Sequence, residues 1–167
     1  KLLGFSLGGE KVHHILPILW GEGRNGKGTL LETLRGVLGE YVGPVEAELV
    51  LRPKFIRIAG SPDSAKMSLQ GKRIVWASET NEGRELNGGV VKWLTGGDSI
   101  TARAPFGKHN VTFKPTHVIF ILTNFKPRID SDDYALRKRL ALIEFNTAFV
   151  DSPEKENERK SDINLPQ

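Results

Sequence analysis

Short apolar runs bounded by turn residues recur along the chain: His14–Trp20, Arg73–Ala77, His117–Thr123 and Leu140–Phe145. Each is the length of a strand, and each is continuously apolar, not alternating. That pattern predicts strands buried on both faces, hence a largely parallel sheet covered by helices. Between the first two runs, Leu30, Leu31, Leu34, Val37 and Leu38 make one helical stripe over Gly26–Leu38, with Gly39 as the stop signal. A second helical stretch, Glu85–Leu94, contains Gly88-Gly89, which argues for a start after them. Ile100–Arg103 and Asn110–Lys114 form a candidate hairpin joined by Ala104–His109. Pro17 lacks a ladder donor, so the first strand is expected to begin at Ile18.

Composition narrows the chemistry. The 167 residues suit one domain, with no linker or repeat to divide them, and include no cysteine. Disulfides, thiolate metal sites and cysteine nucleophiles are thereby excluded. No apolar stretch approaches a membrane span. Lys1 stands where an initiator Met would, without a signal peptide, and the chain reads as a piece of a longer protein. The net charge of +4 is unevenly spread: residues 98–139 hold eight bases and four acids, whereas 140–167 hold three and six. The densely charged run Asp151–Asp162 reads as a solvated helix or frayed tail. His13-His14 has no acids at metal-ligand spacing and reads as structural, and Trp20 and Trp76 read as core.

The strongest motif is Gly21-Glu22-Gly23-Arg24-Asn25-Gly26-Lys27-Gly28-Thr29, set between an apolar strand and an amphipathic helix. Small residues let backbone N–H groups wrap a phosphate chain at a helix N-terminus, with a lysine reaching the β- and γ-phosphates. Gly21, Gly23, Asn25, Gly26, Lys27, Gly28 and Thr29 are therefore candidate nucleotide-binding residues. A Ser or Thr usually follows the lysine to hold magnesium; here Gly28 occupies that place and Thr29 comes next. About 50 positions on, Gly71–Glu79 is an apolar strand ending in an acid. A carboxylate there suits a hard cation and can polarise an attacking water, making Glu79 a candidate catalytic residue and, with Thr29, a candidate metal ligand.

Three further blocks follow in order: Lys92-Trp93-Leu94-Thr95-Gly96-Gly97-Asp98 leading into the hairpin, Val118–Asn124 followed by Pro127, and Asp132–Arg139 leading into Leu140–Phe145. Together the five blocks resemble the superfamily 3 helicase domain of phage and plasmid primase-helicases, a group that includes the poxvirus primase-helicase. The resemblance covers about residues 3–146.

It implies an α/β P-loop NTPase fold, an AAA+-related parallel sheet flanked by helices with an inserted β-hairpin. Residues 1–150 would be the ATPase core and 151–167 a charged tail or the start of a following segment. It implies ATP and Mg2+ as cofactors, single-stranded DNA as partner, a homo-oligomer that is hexameric in the full protein, and no membrane. The setting implied is the cytoplasm of a bacterial host. Asn124 matches the polar sensor and Arg139 the arginine finger given in trans, with Arg137 a competing finger because Lys138 fills one of the usual paired-arginine places. Lys108-His109 matches the DNA-contacting hairpin tip. Arg103 and Lys114 would add backbone contacts and Phe106 a stacking or packing ring. Two other classes remain open: a nucleoside monophosphate kinase-like phosphotransferase, and a non-catalytic DNA-binding or assembly module.

Overall fold

The computed structural model describes residues 1–10, 14–53, 63–79 and 81–165, with Glu79 described by its backbone alone. His13 lies outside the described residues. Five parallel strands form the central sheet: β1 (Leu16–Trp20), β2 (Val42–Val45), β3 (Ile74–Glu79), β6 (Val118–Thr123) and β7 (Leu140–Glu144). Their spatial order is β2-β3-β6-β1-β7. The helices are α1 (Leu2–Gly8), α2 (Lys27–Leu38), α3 (Ser64–Met67), α4 (Gly88–Gly96) and α5 (Tyr134–Arg137). Two small ribbons complete the fold, β4 (Ile100–Ala102) with β5 (Val111–Phe113), and β8 (Ala148–Val150) with β9 (Glu158–Lys160).

The continuous apolar runs do bury both faces of the sheet. Alternate residues Leu16, Ile18, Val75, Ala77, Ile119 and Ile121 pack with Leu49–Leu51 and with Ala65, Val91, Leu94 and Leu136 from α3, α4 and α5. The opposite set, Leu19, Ile74, Trp76, Phe120 and Leu122, packs with Leu31 and Leu34 of α2 and with Leu2 and Leu3 of α1. Truncating a fully buried member such as Leu31 would cost about 2–5 kcal/mol.

Several expectations shift. β1 starts at Leu16, not Ile18: its pairing with β7 begins at Leu16, while its pairing with β6 begins only at Ile18. Pro17 thus sits where one side of the strand is still unpaired, so its missing N–H is tolerated. Helix α4 starts at Gly88, after Asn87, whose side chain accepts from the Val90 N–H at 3.2 Å as an N-cap. Gly88 fits there because any Cβ would meet Asp133 Oδ2 at 2.6 Å. Within Asp151–Asp162, expected to be a solvated helix or frayed tail, Glu158–Lys160 instead forms β9 and pairs with β8 just before the segment, where the Phe149 N–H donates to the Arg24 carbonyl at 2.8 Å.

A candidate nucleotide site at the carboxyl edge of the sheet

Register brings the candidate residues together. Trp20 lies beside Thr123, and Thr123 beside Glu79, so the ends of β1, β6 and β3 are level. The chain from β1 crosses to the far edge at β2, and the chain from β6 passes over β1 to β7. Ligand crevices in parallel sheets form outside the carboxyl ends of strands where connections diverge in this way. Gly21–Lys27, Glu79 and Asn124 all leave the sheet at that point. Where the Glu79 side chain points lies outside the described residues.

Small residues and local bonds shape the loop. Gly21 has φ +151°, and a Cβ there would run into the Phe145 carbonyl oxygen and stand 2.6 Å from Asn25 Nδ2. Asn25 Nδ2 donates to that same Phe145 carbonyl at 3.1 Å, clipping the loop to the end of β7. Gly26, at φ +81°, makes the turn into α2, whose first-turn N–H groups have no side-chain cap. Those N–H groups carry the positive end of the helix dipole. Among the described residues nothing lies within 4 Å of a Cβ built on Gly23 or Gly28, so the loop rim is open there.

Lys27 is buried, at 7% exposure, with its ammonium turned inward. It donates to the Gly21 carbonyl at 2.6 Å, the Glu22 carbonyl at 3.0 Å and Asn25 Oδ1 at 2.9 Å, and stands 3.5 Å from Asn124 Oδ1. Burial pushes its pKa below the ordinary lysine value. A desolvated cation beside an uncapped helix N-terminus suits a polyphosphate, which would take the lysine from neutral carbonyl partners. Magnesium would fall to Thr29 and Glu79. Thr29 sits in the first turn of α2 and Glu79 ends β3.

Arg139 lies at the other end of the sheet. It directly precedes β7, and its carbonyl accepts from Leu16 N–H at 2.7 Å. Five strand steps of about 3.3 Å separate its level from that of Trp20, roughly 16 Å. That is more than an arginine side chain spans, so Arg139 does not reach its own phosphate loop. Its Nη1 donates to the Ala135 carbonyl at 2.9 Å, and its Nε is buried without an acceptor among the described residues. Arg137 is exposed, with Nη1 3.3 Å from the Ser131 carbonyl.

The β4–β5 ribbon is rooted by Ile100 in the core and by a 2.8 Å contact between the Thr101 and Thr112 hydroxyls. Arg103, Lys108 and His109 lie on the connection at its tip, and Lys108 and His109 are exposed. Lys114 does not join them, because it follows β5 at the base. Phe106 is fully exposed with φ +61°, which removes packing as its role.

Two residues with a place at the site went unnoticed in the sequence. Phe149 lies over the loop, its ring 3.6 Å from a Cβ built on Gly26. Lys126 holds its ammonium 4.2 Å from the Trp20 ring centroid, so Trp20 is a wall of the site as well as a core residue. Neither carries a motif: one sits in a three-residue strand just before the charged run, the other in a turn.

Similarity to known proteins agrees with this geometry. A family model described as "Family of unknown function (DUF5906)" matches residues 19–139. The chain is 34% identical over 161 residues to "Putative helicase L207/L206" of Acanthamoeba polyphaga mimivirus, covering 96% of this chain and 16% of that protein. It is 29% identical over 150 residues to "Putative primase C962R" of an African swine fever virus isolate, covering 88% and 15%. The chain thus spans about a sixth of the curated relatives it matches. The A form apo structure of the NrS-1 C-terminal region shares the fold at a TM-score of 0.56 and 20% identity, covering 88% of this chain and 33% of that one. The chain belongs to the DUF5906 family and is a superfamily 3 helicase-like α/β domain.

Proposed function

We propose that this domain is the ATP-hydrolysing motor of a viral replication helicase, working on single-stranded DNA as a ring of six identical subunits. The observation that supports it most is the meeting of Lys27 and Asn124 at 3.5 Å beyond the ends of β1 and β6. An ammonium and an amide oxygen there face the same space, as a γ-phosphate and its attacking water require. In this reading Lys27 leaves the loop carbonyls to bind the β- and γ-phosphates, and the N–H groups of Lys27, Gly28 and Thr29 bind the phosphate oxygens. Asn124 orients the water, and Glu79 takes its proton as the water oxygen attacks the γ-phosphorus. The bond to the β–γ bridging oxygen breaks, and its electron pair leaves on ADP. Magnesium would neutralise charge developing on the phosphates.

Arg139 completes the site of a neighbouring subunit, since its own loop is out of reach. The hairpin tip with Lys108 and His109 holds the DNA backbone by contacts that do not read sequence. The experiment is hydrolysis and strand separation by the intact parent protein, with and without single-stranded DNA. Stimulation by DNA supports the motor. ATP binding without turnover in the assembled parent would favour the assembly module, for which Gly28 in the usual hydroxyl position is the specific argument.

A further inference from the structure

Beside the phosphate loop is a second cleft, of about 390 Å³, lined by Trp20, Glu82, Gly83, Asn124, Lys126 and Arg128. Its volume falls in the ~300–1,000 Å³ range of ligand sites. Asn124 is shared: its amide oxygen faces Lys27 on one side, and the cleft opens on the other. Both cations are exposed. The Lys126 ammonium rests on the Trp20 ring at 4.2 Å, so its charge meets a π face. Gly83, at φ +79°, turns the chain so that the Arg128 guanidinium passes 3.8 Å from where a Cβ would stand.

We propose that this cleft binds inorganic phosphate. Resting on the nucleotide reading above, it is the exit through which product phosphate leaves past Asn124 while ADP is still held. Two cations within one turn of the sensor attract the dianion released there, and Arg128 offers a planar fork for its oxygens. Glu82 on the same rim opposes a lasting stay. Mixed sign makes a transit site, strong enough to draw phosphate from the loop and weak enough to release it.

The test is calorimetric titration of this chain with sodium phosphate at constant ionic strength. Lys126→Ala is expected to weaken phosphate binding about tenfold, the usual scale of one charge-assisted contact. Glu82→Gln is expected to tighten it, an opposite sign that no unfolded variant produces. Lys126 and Glu82 are both exposed, and circular dichroism checks each variant's fold. In wild type, phosphate should also change the emission of Trp20, a change that Trp20→Phe removes. Binding indifferent to both substitutions, or abolished by Lys27→Ala while intact in Lys126→Ala, overturns the proposal. Phosphate binding that depends on Lys126 in a chain that binds no ATP upholds the cleft and sinks the nucleotide reading, so the two fail separately.

Discussion

Lys27 and Asn124, 97 positions apart, meet at 3.5 Å outside the carboxyl edge of the sheet. The contact exists because β1 and β6 are neighbours in register, so a strand-ending lysine loop and a strand-ending asparagine emerge side by side. Both are set by backbone pairing deep in the core.

Burial holds the Lys27 pKa below its ordinary value of 10.5. Phosphate binding needs the charged form. Affinity for a non-hydrolysable ATP analogue should therefore be full below the lowered value and fall as pH rises through it, before 10.5 is reached. Lys27→Arg, always charged, should show no such fall over the same range. Wild-type affinity that stays flat up to 10.5 would show that desolvation does not govern the loop.

Arg139 lies out of reach of its own loop, so in the proposed motor it serves the loop of a second subunit. In the assembled parent protein, Lys27→Ala and Arg139→Ala should each abolish hydrolysis. Mixed and reassembled, they should regain about a quarter of wild-type activity, from random interfaces where an intact loop meets an intact finger. No recovery would mean that Arg139 acts within its own subunit or not at all, and Arg137→Ala in the same mixture tests the competing finger.

Phe106 combines full exposure with a left-handed backbone that costs a non-glycine residue about 1–3 kcal/mol. Phe106→Gly relieves that strain and removes no packing, while adding unfolded-state freedom. Thermal melts should place its stability within about 1 kcal/mol of wild type. Affinity for single-stranded DNA should drop by about 1–3 kcal/mol if the ring stacks on a base. Unchanged DNA affinity would remove the ring from the interface.

Gly88 and Gly89 are adjacent but not equivalent. A Cβ on Gly88 would meet Asp133 Oδ2 at 2.6 Å, and Asp133 cannot move freely. It pairs with Lys92 at 2.9 Å and caps α5 through the Leu136 N–H at 2.9 Å, and these bonds, the lysine's foremost, hold its carboxyl below the usual range. That contribution is present above an ordinary aspartate pKa and is lost as pH falls through the lowered one. Gly88→Ala should destabilise by about 1–3 kcal/mol. Gly89→Ala, with its nearest contact at an ordinary 3.6 Å, should be neutral or stabilising by up to about 1 kcal/mol. Denaturant melts of the pair decide.

The four core strands, the loop and α2 were legible because buried parallel strands write continuous apolar runs and a phosphate loop needs glycines at fixed places. β2 was not, since Val42-Gly43-Pro44-Val45 is a short edge strand whose proline and glycine read as a turn. The start of α4 was misplaced because Asn87 caps the helix, and the reason for Gly88 lies in Asp133, 45 residues on. β8 and β9 have three residues each, and β9, Glu158-Arg159-Lys160, has no apolar residue to mark it as a strand. Phe149 on Gly26 is the consequence with functional weight: the β8–β9 pair, formed partly by the charged run, braces the loop. The candidate hairpin residues were found as types, but only the structure separates Lys114 at the base from Lys108 at the tip.

The most direct measurement is ATP hydrolysis by the assembled parent protein with single-stranded DNA present, wild type against Lys27→Ala, alongside binding of ATP to each. The account predicts DNA-stimulated turnover in wild type, and in Lys27→Ala a loss of turnover together with weakened binding. Undiminished hydrolysis in a folded Lys27→Ala protein would contradict it.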